Sequence, residues 1–201
     1  MKSALLDLSQ EAKLSKSIRQ IYYDFKNLGY FDQYGSSCVA MAALLSNLLE
    51  KQGFNTKVQA CYAIVKNSDQ QFFLGYKGYA KTGQVEGHAV CIVNDRILID
   101  FGLGNVRKDF DSQFHRAICS DIDMNPSQGY VARIHINEKT TIEWHTDWIP
   151  PDIANEYMQQ APLLEPIISN YERYKKNRIA FLIKQLVFQN RKISVNNIVR
   201  I

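Results

Sequence analysis

Residues 35–65 decide the fold, and they read GSSCVAMAALLSNLLEKQGFNTKVQACYAIV. The first half predicts a helix over about 38–52, because one face of it is apolar throughout. The side chains of that face are Met41, Leu44, Leu45, Leu48 and Leu49. Gly53 supplies the C-terminal stop. The segment 56–65 is rich in strand formers and predicts the first strand.

The rest of the chain predicts further helices around an antiparallel sheet. In chain order, the predicted elements are a helix over 9–28, a loop over 30–37, a strand over 71–76, a hairpin of strands 88–93 and 97–101, an irregular stretch over 103–129, a hairpin of strands 130–136 and 140–144, and helices over 152–160 and 163–189. Because helices, strands and helices follow in blocks, the predicted fold class is α+β, with helices packed on an antiparallel β-sheet. Pro150-Pro151 divides a domain over 1–150 from a helical C-terminal extension over 151–201.

Length and composition place the chain among ordinary globular proteins. Of its 201 residues, 46% are hydrophobic and 22% are charged, which excludes a disordered or collagen-like chain. No apolar run reaches the roughly 18–20 residues of a transmembrane helix. The N-terminal apolar patch is short and is interrupted by Asp7, so no signal peptide is predicted. We therefore expect a cytoplasmic protein, with export by a signal-less route left open.

The excess positive charge is confined to the end of the chain. Residues 1–150 carry 16 basic and 16 acidic side chains, whereas residues 151–201 carry 8 and 4. A neutral body argues against nucleic acid as a partner. The basic segment 171–192 is amphipathic and is expected to dock on the body, with a membrane-surface or nucleic-acid role as the alternative. Its predicted apolar side consists of Tyr171, Tyr174, Leu182 and Leu186.

The cysteines and histidines do not have the spacing of a metal site. The four cysteines include no Cys-x-x-Cys pair, and the four histidines show no zinc-ligand pattern, so no metal is predicted. Cys61 and Cys91 lie on β-rich segments and are expected in the core. Trp144 and Trp148 are expected to pack between the sheet and the C-terminal helices, and lining a cleft is the alternative.

Cys38 is the candidate nucleophile, because it stands at the start of the strongest predicted helix. Backbone N–H groups at a helix start are unpaired and the helix dipole is positive there, and both effects favour a thiolate. The small residues Gly35-Ser36-Ser37 before it would let a substrate carbonyl approach the sulfur. The same N–H groups would stabilise the oxyanion of a tetrahedral intermediate.

His88 and Asp100 lie on the two strands of the first predicted hairpin. If residues 94–96 form the turn, Val93 pairs with Ile97, and the two residue numbers of every pair along the hairpin sum to 190. Val90 then lies opposite Asp100. His88 lies on the same face as Asp100, one diagonal step away. Asp100 interrupts an apolar run, and a buried carboxylate there needs a partner. The predicted roles are His88 as the base that takes and returns the proton and Asp100 as the group that orients the imidazole of His88.

These residues resemble the transglutaminase-like, papain-related superfamily of cysteine enzymes. The resemblance is carried by 35–65 and by GHAVCIVNDRILIDFGLG at 87–104, where a cysteine starts a helix and a His and an Asp lie on neighbouring strands. The segment IDFGLG is similar to the strand end of arylamine N-acetyltransferases, in which an Asp is followed by Gly-x-Gly. Gln33 resembles the oxyanion glutamine of papain-like proteases. The resemblance covers about residues 30–105 and implies a papain/transglutaminase-like fold with a Cys-His-Asp triad.

The predicted function is cysteine-dependent acyl chemistry on a peptide or small amide, through a thioester on Cys38. Peptidase, amidase and transglutaminase-like transfer stay open, because the sequence does not say whether water or an amine accepts the acyl group. Gln33 and Ser37 are the candidates for oxyanion or substrate contacts. No cofactor is expected. The alternatives are an arylamine-type N-acyltransferase with acyl-CoA as co-substrate, and an inactive binding module of the same fold. The sequence predicts no oligomeric state.

Overall fold

One long strand, β1 (Thr56–Asn67), organises the sheet. The computed structural model describes residues 2–68, 70–79, 86–122, 130–149 and 164–177. The other strands in these ranges are β2 (Gln70–Leu74), β3 (His88–Val93), β4 (Ile97–Asp100), β5 (Ile118–Asp121), β6 (Tyr130–His135) and β7 (Thr140–His145). The sheet has the order β5-β4-β3-β1-β7-β6, β2 also pairs with β1, and every pairing is antiparallel. Because β5 and β6 also contact each other, the sheet is nearly closed.

The two halves of β1 have different partners. Residues 56–61 pair with β3, whereas residues 62–67 pair with β7. Cys61 is paired with His88, and the next residue, Tyr62, is paired with His145. The strand therefore joins the first hairpin to the second one, with the start of β3 and the end of β7 on either side of its middle.

Most helices of the described residues cover one face of this sheet. The helices are α1 (Lys2–Leu28), α2 (Tyr30–Tyr34), α3 (Cys38–Glu50), α4 (Gly104–Asp109) and α5 (Glu165–Lys176). Apolar side chains of α1 and α3 form one core with Cys91, Val93 and Ile99 of the sheet. The alternate residues of the same strands, Val90, Ile92 and Leu98, face the other way into a second core enclosed by the sheet, because successive strand residues point to opposite faces. The short α4 contributes Val106 to this enclosed core on the other face.

Helix α3 is built by the apolar stripe that the sequence predicts. Met41, Leu45 and Leu49 are fully buried, and the chain leaves the helix through Gly53 at φ +87, a conformation that favours glycine. At the other end, the side chain of Ser37 makes no capping hydrogen bond. The helix therefore begins at Cys38 with backbone amides that no capping side chain occupies.

The sequence predicts most of the elements and misses three short ones. The first helix, α3, the two hairpins and the α+β mixture are confirmed, but α1 begins at Lys2 rather than at residue 9, and the other element ends shift by a few residues. The expected loop over 30–37 is wrong in part because it contains α2, and the expected irregular stretch over 103–129 contains α4 and β5. These three elements have 5, 6 and 4 residues, too few for periodicity to show, and β5 exists through its pairing with β4.

The C-terminal segment docks on the body through α5. Tyr171 and Tyr174 are buried as predicted, and the hydroxyl of Tyr171 donates to Oδ2 of Asp24 across 2.9 Å. Lys51 and Glu172 form an ion pair at 2.5 Å on the surface of the same contact. The predicted helix over 152–160 and the side chains of Leu182 and Leu186 lie outside the described residues. The domain boundary at residue 150 stays a prediction.

Candidate active site

The hairpin of β3 and β4 has the register that the sequence predicts. Cys91 pairs with Ile99 and Val93 pairs with Ile97, so the residue numbers sum to 190. Asn94 and Asp95 both have positive φ, +52 and +51, which closes a tight turn. The even register places His88 and Asp100 on one face of the hairpin, the face that looks into the enclosed core.

His88 and Asp100 meet in that core. Nε2 of His88 lies 2.7 Å from Oδ2 of Asp100, and both side chains are completely inaccessible to solvent. A buried carboxylate beside a buried imidazole fixes the orientation of the ring and stabilises its protonated form. The structure therefore brings together two of the three predicted triad residues in a hydrogen-bonded pair.

Two further donors hold the carboxylate of Asp100. The backbone N–H of Gly102 donates to Oδ1 across 2.8 Å, and the indole Nε1 of Trp144 donates to Oδ2 across 2.8 Å. Trp144 belongs to the enclosed core, so the expectation that it packs between the sheet and the C-terminal helices is wrong. It faces inward because it pairs with Ala63, whose side chain lies on the inner face of β1. Three donors from three parts of the chain thus fix one carboxylate.

Glycines let the start of α3 approach the end of the hairpin. A Cβ atom on Gly102 would lie 2.7 Å from both Cα and Cβ of Cys38 and 3.0 Å from Cε1 of His88. Gly104 lies against Gly35 in the same way, and its N–H donates to the carbonyl of Gly35 across 2.9 Å. These contacts bring Cys38 to His88, which completes the predicted trio, and they explain why two glycines follow Asp100.

The imidazole of His88 is strongly basic in this environment. Burial lowers its pKa, but the negative charges of Asp100 and Cys38, together with the hydrogen bond to Asp100, outweigh burial and raise the pKa of His88 to about 10. Nδ1 is buried and has no partner of normal hydrogen-bond geometry among the described residues. This nitrogen is therefore the one available to the Cys38 thiol, a contact that in catalytic dyads often tightens only when substrate binds.

The other cysteines are held as neutral thiols. Burial, followed by the charges of Asp100 and Cys38, raises the pKa of Cys61 well above its usual value. Burial is also the main reason why the pKa of Cys91 and that of Cys119 are each raised to about 12. Cys61 and Cys91 are fully buried, which confirms them as core residues, and Cys119 is partly buried on β5. Of the four thiols, Cys38 alone lies at a helix start beside an imidazole.

The oxyanion candidates differ in their placement. Ser37 immediately precedes α3 and is exposed, but its N–H already donates to the carbonyl of Tyr34 across 2.7 Å. Gln33 lies on α2 and is exposed, and no hydrogen bond of its side chain within the described residues ties it to Cys38. The first backbone amides of α3 are the donors that the geometry favours, because they lie beside the sulfur and have no intrahelical acceptor.

Sequence reasoning did not identify Trp144 or Gly102 as part of this site. The Gly-x-Gly pattern directly after a strand was a usable signal for a close backbone approach. Trp144 gave no such signal, because its position depends on the pairing of β7 with β1, which are separated by more than 70 residues of chain. Within the part of the chain that the structure describes, no group of three or more His, Cys, Asp or Glu is placed to hold a metal ion.

Comparisons with protein-family models, with curated proteins and with solved structures found no match. Across the described ranges, no helix combines the length and the apolar character needed to cross a membrane.

Proposed function

We propose that this protein is a thiol enzyme that transfers the acyl group of an amide through a thioester on Cys38, on a papain/transglutaminase-like fold. The observation that carries the proposal is the buried pair of His88 and Asp100, at 2.7 Å, placed against the start of α3. A cysteine at a helix start, packed on an antiparallel sheet whose neighbouring strands carry the histidine and the aspartate, is the arrangement that this chemistry needs.

The first half of the reaction acylates the sulfur. With the pKa of His88 at about 10, the ring is an imidazolium at neutral pH and stabilises the thiolate of Cys38. The thiolate attacks the amide carbonyl, and the first amides of α3 donate to the oxyanion. His88 then gives its proton to the leaving nitrogen, so the C–N bond breaks, an amine departs and a thioester remains.

The second half releases the acyl group. His88 is neutral after acylation, so it can take a proton from water or from an amine that attacks the thioester carbonyl. The C–S bond breaks, and the thiolate–imidazolium pair is restored. Asp100 does not give up or take a proton in either half; it holds the ring and stabilises its charge.

Intact-mass spectrometry after incubation with p-nitrophenyl acetate tests the proposal. We expect one acetyl group on the full chain, located on Cys38 by peptide mapping and absent from Cys38→Ala. Cys119→Ser is the matched control, because Cys119 is the other partly buried thiol and should leave the adduct unchanged. A chain that acquires no acetyl group, or one that keeps it in Cys38→Ala, would overturn the proposed function.

A further inference from the structure

Five aromatic rings form a continuous cluster beside the proposed site. This aromatic cluster consists of Tyr62, Phe73, Tyr76, Tyr79 and Trp148. Tyr76 is at its centre, with ring centroids 4.8 Å from Tyr62, 5.3 Å from Phe73, 5.8 Å from Tyr79 and 5.8 Å from Trp148. Phe73 and Tyr79 are stacked at 4.5 Å. Neither the proposed acyl chemistry nor the two cores uses these outer rings.

The aromatic cluster is joined to the backbone around His88. Gly75 precedes Tyr76, and a Cβ atom on Gly75 would lie 2.3 Å from the carbonyl carbon of Gly87 and 2.6 Å from the backbone nitrogen of His88. The N–H of Gly87 donates to the carbonyl of Gly75 across 2.8 Å. The loop that carries Tyr76 is therefore fixed against the residue that holds the imidazole.

Two other links connect the aromatic cluster to the site. Tyr62 directly follows Cys61, the strand partner of His88. Trp148 directly precedes Ile149, which packs on the small alanine cluster that Cys38 also contacts. Because successive strand residues point to opposite faces, Tyr62 shares the face of Ala60, the face on which Cys38 also packs, so the rings border the site on the same side of the sheet as α3.

The outer rings of the aromatic cluster are accessible. Tyr79 is 58% exposed, and Phe73, Tyr76 and Trp148 are partly exposed. The indole Nε1 of Trp148 is itself buried and has no hydrogen-bond partner among the described residues, so it is the ring of Trp148, and not its N–H, that reaches the surface. Tyr62 is the fixed base of the cluster, because it is buried and its hydroxyl donates to Asp147 across 2.7 Å. Accessible aromatic surface on a fixed base beside a reactive centre is typical of a binding subsite.

We propose that the aromatic cluster binds an aromatic side chain on the amine portion of the substrate, the residue that follows the scissile amide bond; this rests on the proposed function. The amine portion is assigned because His88 gives its proton to the leaving nitrogen, so that portion must lie on the imidazole side of the sulfur. The rings are attached to the backbone of His88 through Gly75 and Gly87. The preferred substrate is thus a peptide with Phe, Tyr or Trp immediately after the cleaved bond.

The same subsite would receive an amine that attacks the thioester. The amine nitrogen bonds to the thioester carbonyl carbon, the C–S bond breaks, and the proton lost by the nitrogen stays on His88 beside the Cys38 thiolate. One thioester and one amine therefore give one amide and the restored thiolate–imidazolium pair, with no other reactant. An aromatic amine held on the cluster gains effective concentration next to the thioester, so its transfer should compete with hydrolysis.

Partitioning of the acetyl-enzyme tests this inference. The full chain is acetylated with p-nitrophenyl acetate, and phenylalaninamide, cyclohexylalaninamide or alaninamide is added at one concentration of free amine base. The ratio of acetylated amide to acetate is then measured by chromatography. We expect phenylalaninamide to be acetylated about tenfold more than alaninamide, because binding removes its larger side chain from water. We also expect it to be acetylated more than cyclohexylalaninamide, which has a side chain of similar size but no aromatic ring.

Surface variants locate the effect. Tyr79→Ala and Tyr76→Leu should each lower the preference for phenylalaninamide at least threefold, measured as the ratio of products from acetyl-enzyme that has already formed, because this ratio does not depend on how fast the acetyl group was loaded. Tyr23→Ala is the matched control, because Tyr23 is 47% exposed on α1 and should keep the full preference.

Failure of the inference can be told from failure of the proposed function. An acetyl-enzyme that forms and hydrolyses, but treats the three amines alike, overturns the subsite and leaves the thiol chemistry standing. A preference that survives both Tyr79→Ala and Tyr76→Leu overturns the assignment to this cluster. A chain that forms no acetyl-enzyme overturns both proposals.

Discussion

Nε1 of Trp144 donates to Oδ2 of Asp100 across 2.8 Å, although β7 and β4 are separated by two strands in the sheet. The indole can reach the carboxylate because the nearly closed sheet places both side chains in one enclosed core. The same oxygen accepts from His88, and Oδ1 accepts from Gly102. The sheet therefore acts as a rigid holder for the group that orients the imidazole.

Trp144→Phe should show that this indole is a positioning residue. The change keeps an aromatic ring in the core and removes the donor to Asp100, a hydrogen bond to a charged group worth about 1.5–3 kcal/mol. We expect the acetylation rate to fall between about 10- and 100-fold, because the imidazole is less well fixed. Stopped-flow release of p-nitrophenolate measures the rate, and thermal unfolding measures the stability.

Tyr171→Phe is the control for Trp144→Phe. It also removes one buried aromatic donor to a carboxylate, that of Asp24, but in the contact between α5 and α1. It should lower the unfolding temperature and leave the acetylation rate unchanged. Equal rates for Trp144→Phe and the parent chain would remove Trp144 from the account.

Asp100→Asn should abolish most activity and also cost stability. Oδ2 of Asp100 accepts from two N–H groups, and Oδ1 accepts from a third, so an amide NH₂ at either position faces a donor. The same substitution in a serine protease triad lowers kcat about 10⁴-fold, because the wrong tautomer of histidine is favoured. We expect a loss of that order in acetylation rate, with a lower unfolding temperature. Full activity in a folded Asp100→Asn chain would contradict the assigned role.

Much of the site follows from local sequence, and the remainder depends on long-range pairing. The helix start at Cys38 and the even register of the hairpin were predictable, because a stripe of apolar residues and a three-residue turn determine them. The position of Trp144 was not predictable, since its inward orientation depends on the pairing of β7 with β1. The short elements α4 and β5 were missed for the same physical reason: tertiary contacts, rather than local propensity, stabilise them.

The raised pKa of His88 predicts a particular loss of stability with pH. The group binds its proton more tightly in the folded chain, with a pKa of about 10 against 6.5, so it stabilises the fold fully below about pH 6.5. That contribution is lost as the pH rises toward 10. We expect the free energy of unfolding, from urea titrations, to fall by a few kcal/mol more in the parent chain than in His88→Gln over this range.

The comparison with His88→Gln separates the histidine from the buried thiols. Cys61, Cys91 and Cys119 have raised pKa values, so their ionisation in the unfolded chain also lowers stability above about pH 9. This effect is common to both chains and cancels in the difference. Parallel pH profiles for the parent chain and His88→Gln would show that His88 is not held as an imidazolium.

Gly102→Ala should disable the site more than it destabilises the fold. Its Cβ atom would lie 2.7 Å from the Cα of Cys38, so either the start of α3 or the end of the hairpin must move. A shift of this kind is enough to cost about 100-fold in rate. We expect a folded chain with slow acetylation, and circular dichroism with p-nitrophenolate release checks both parts. A normal rate in this variant would mean that the close approach is not needed for reaction.

Alkylation of the four cysteines at pH 6 tests the central claim, that His88 activates Cys38. The rate for each thiol is measured by peptide mapping after timed incubation of the full chain with iodoacetamide. We predict that Cys38 reacts first by a wide margin, since the pKa values of Cys61, Cys91 and Cys119 are all raised, and that His88→Gln removes most of its rate. Faster alkylation of any other cysteine, or an unchanged rate for Cys38 in folded His88→Gln, would contradict the account.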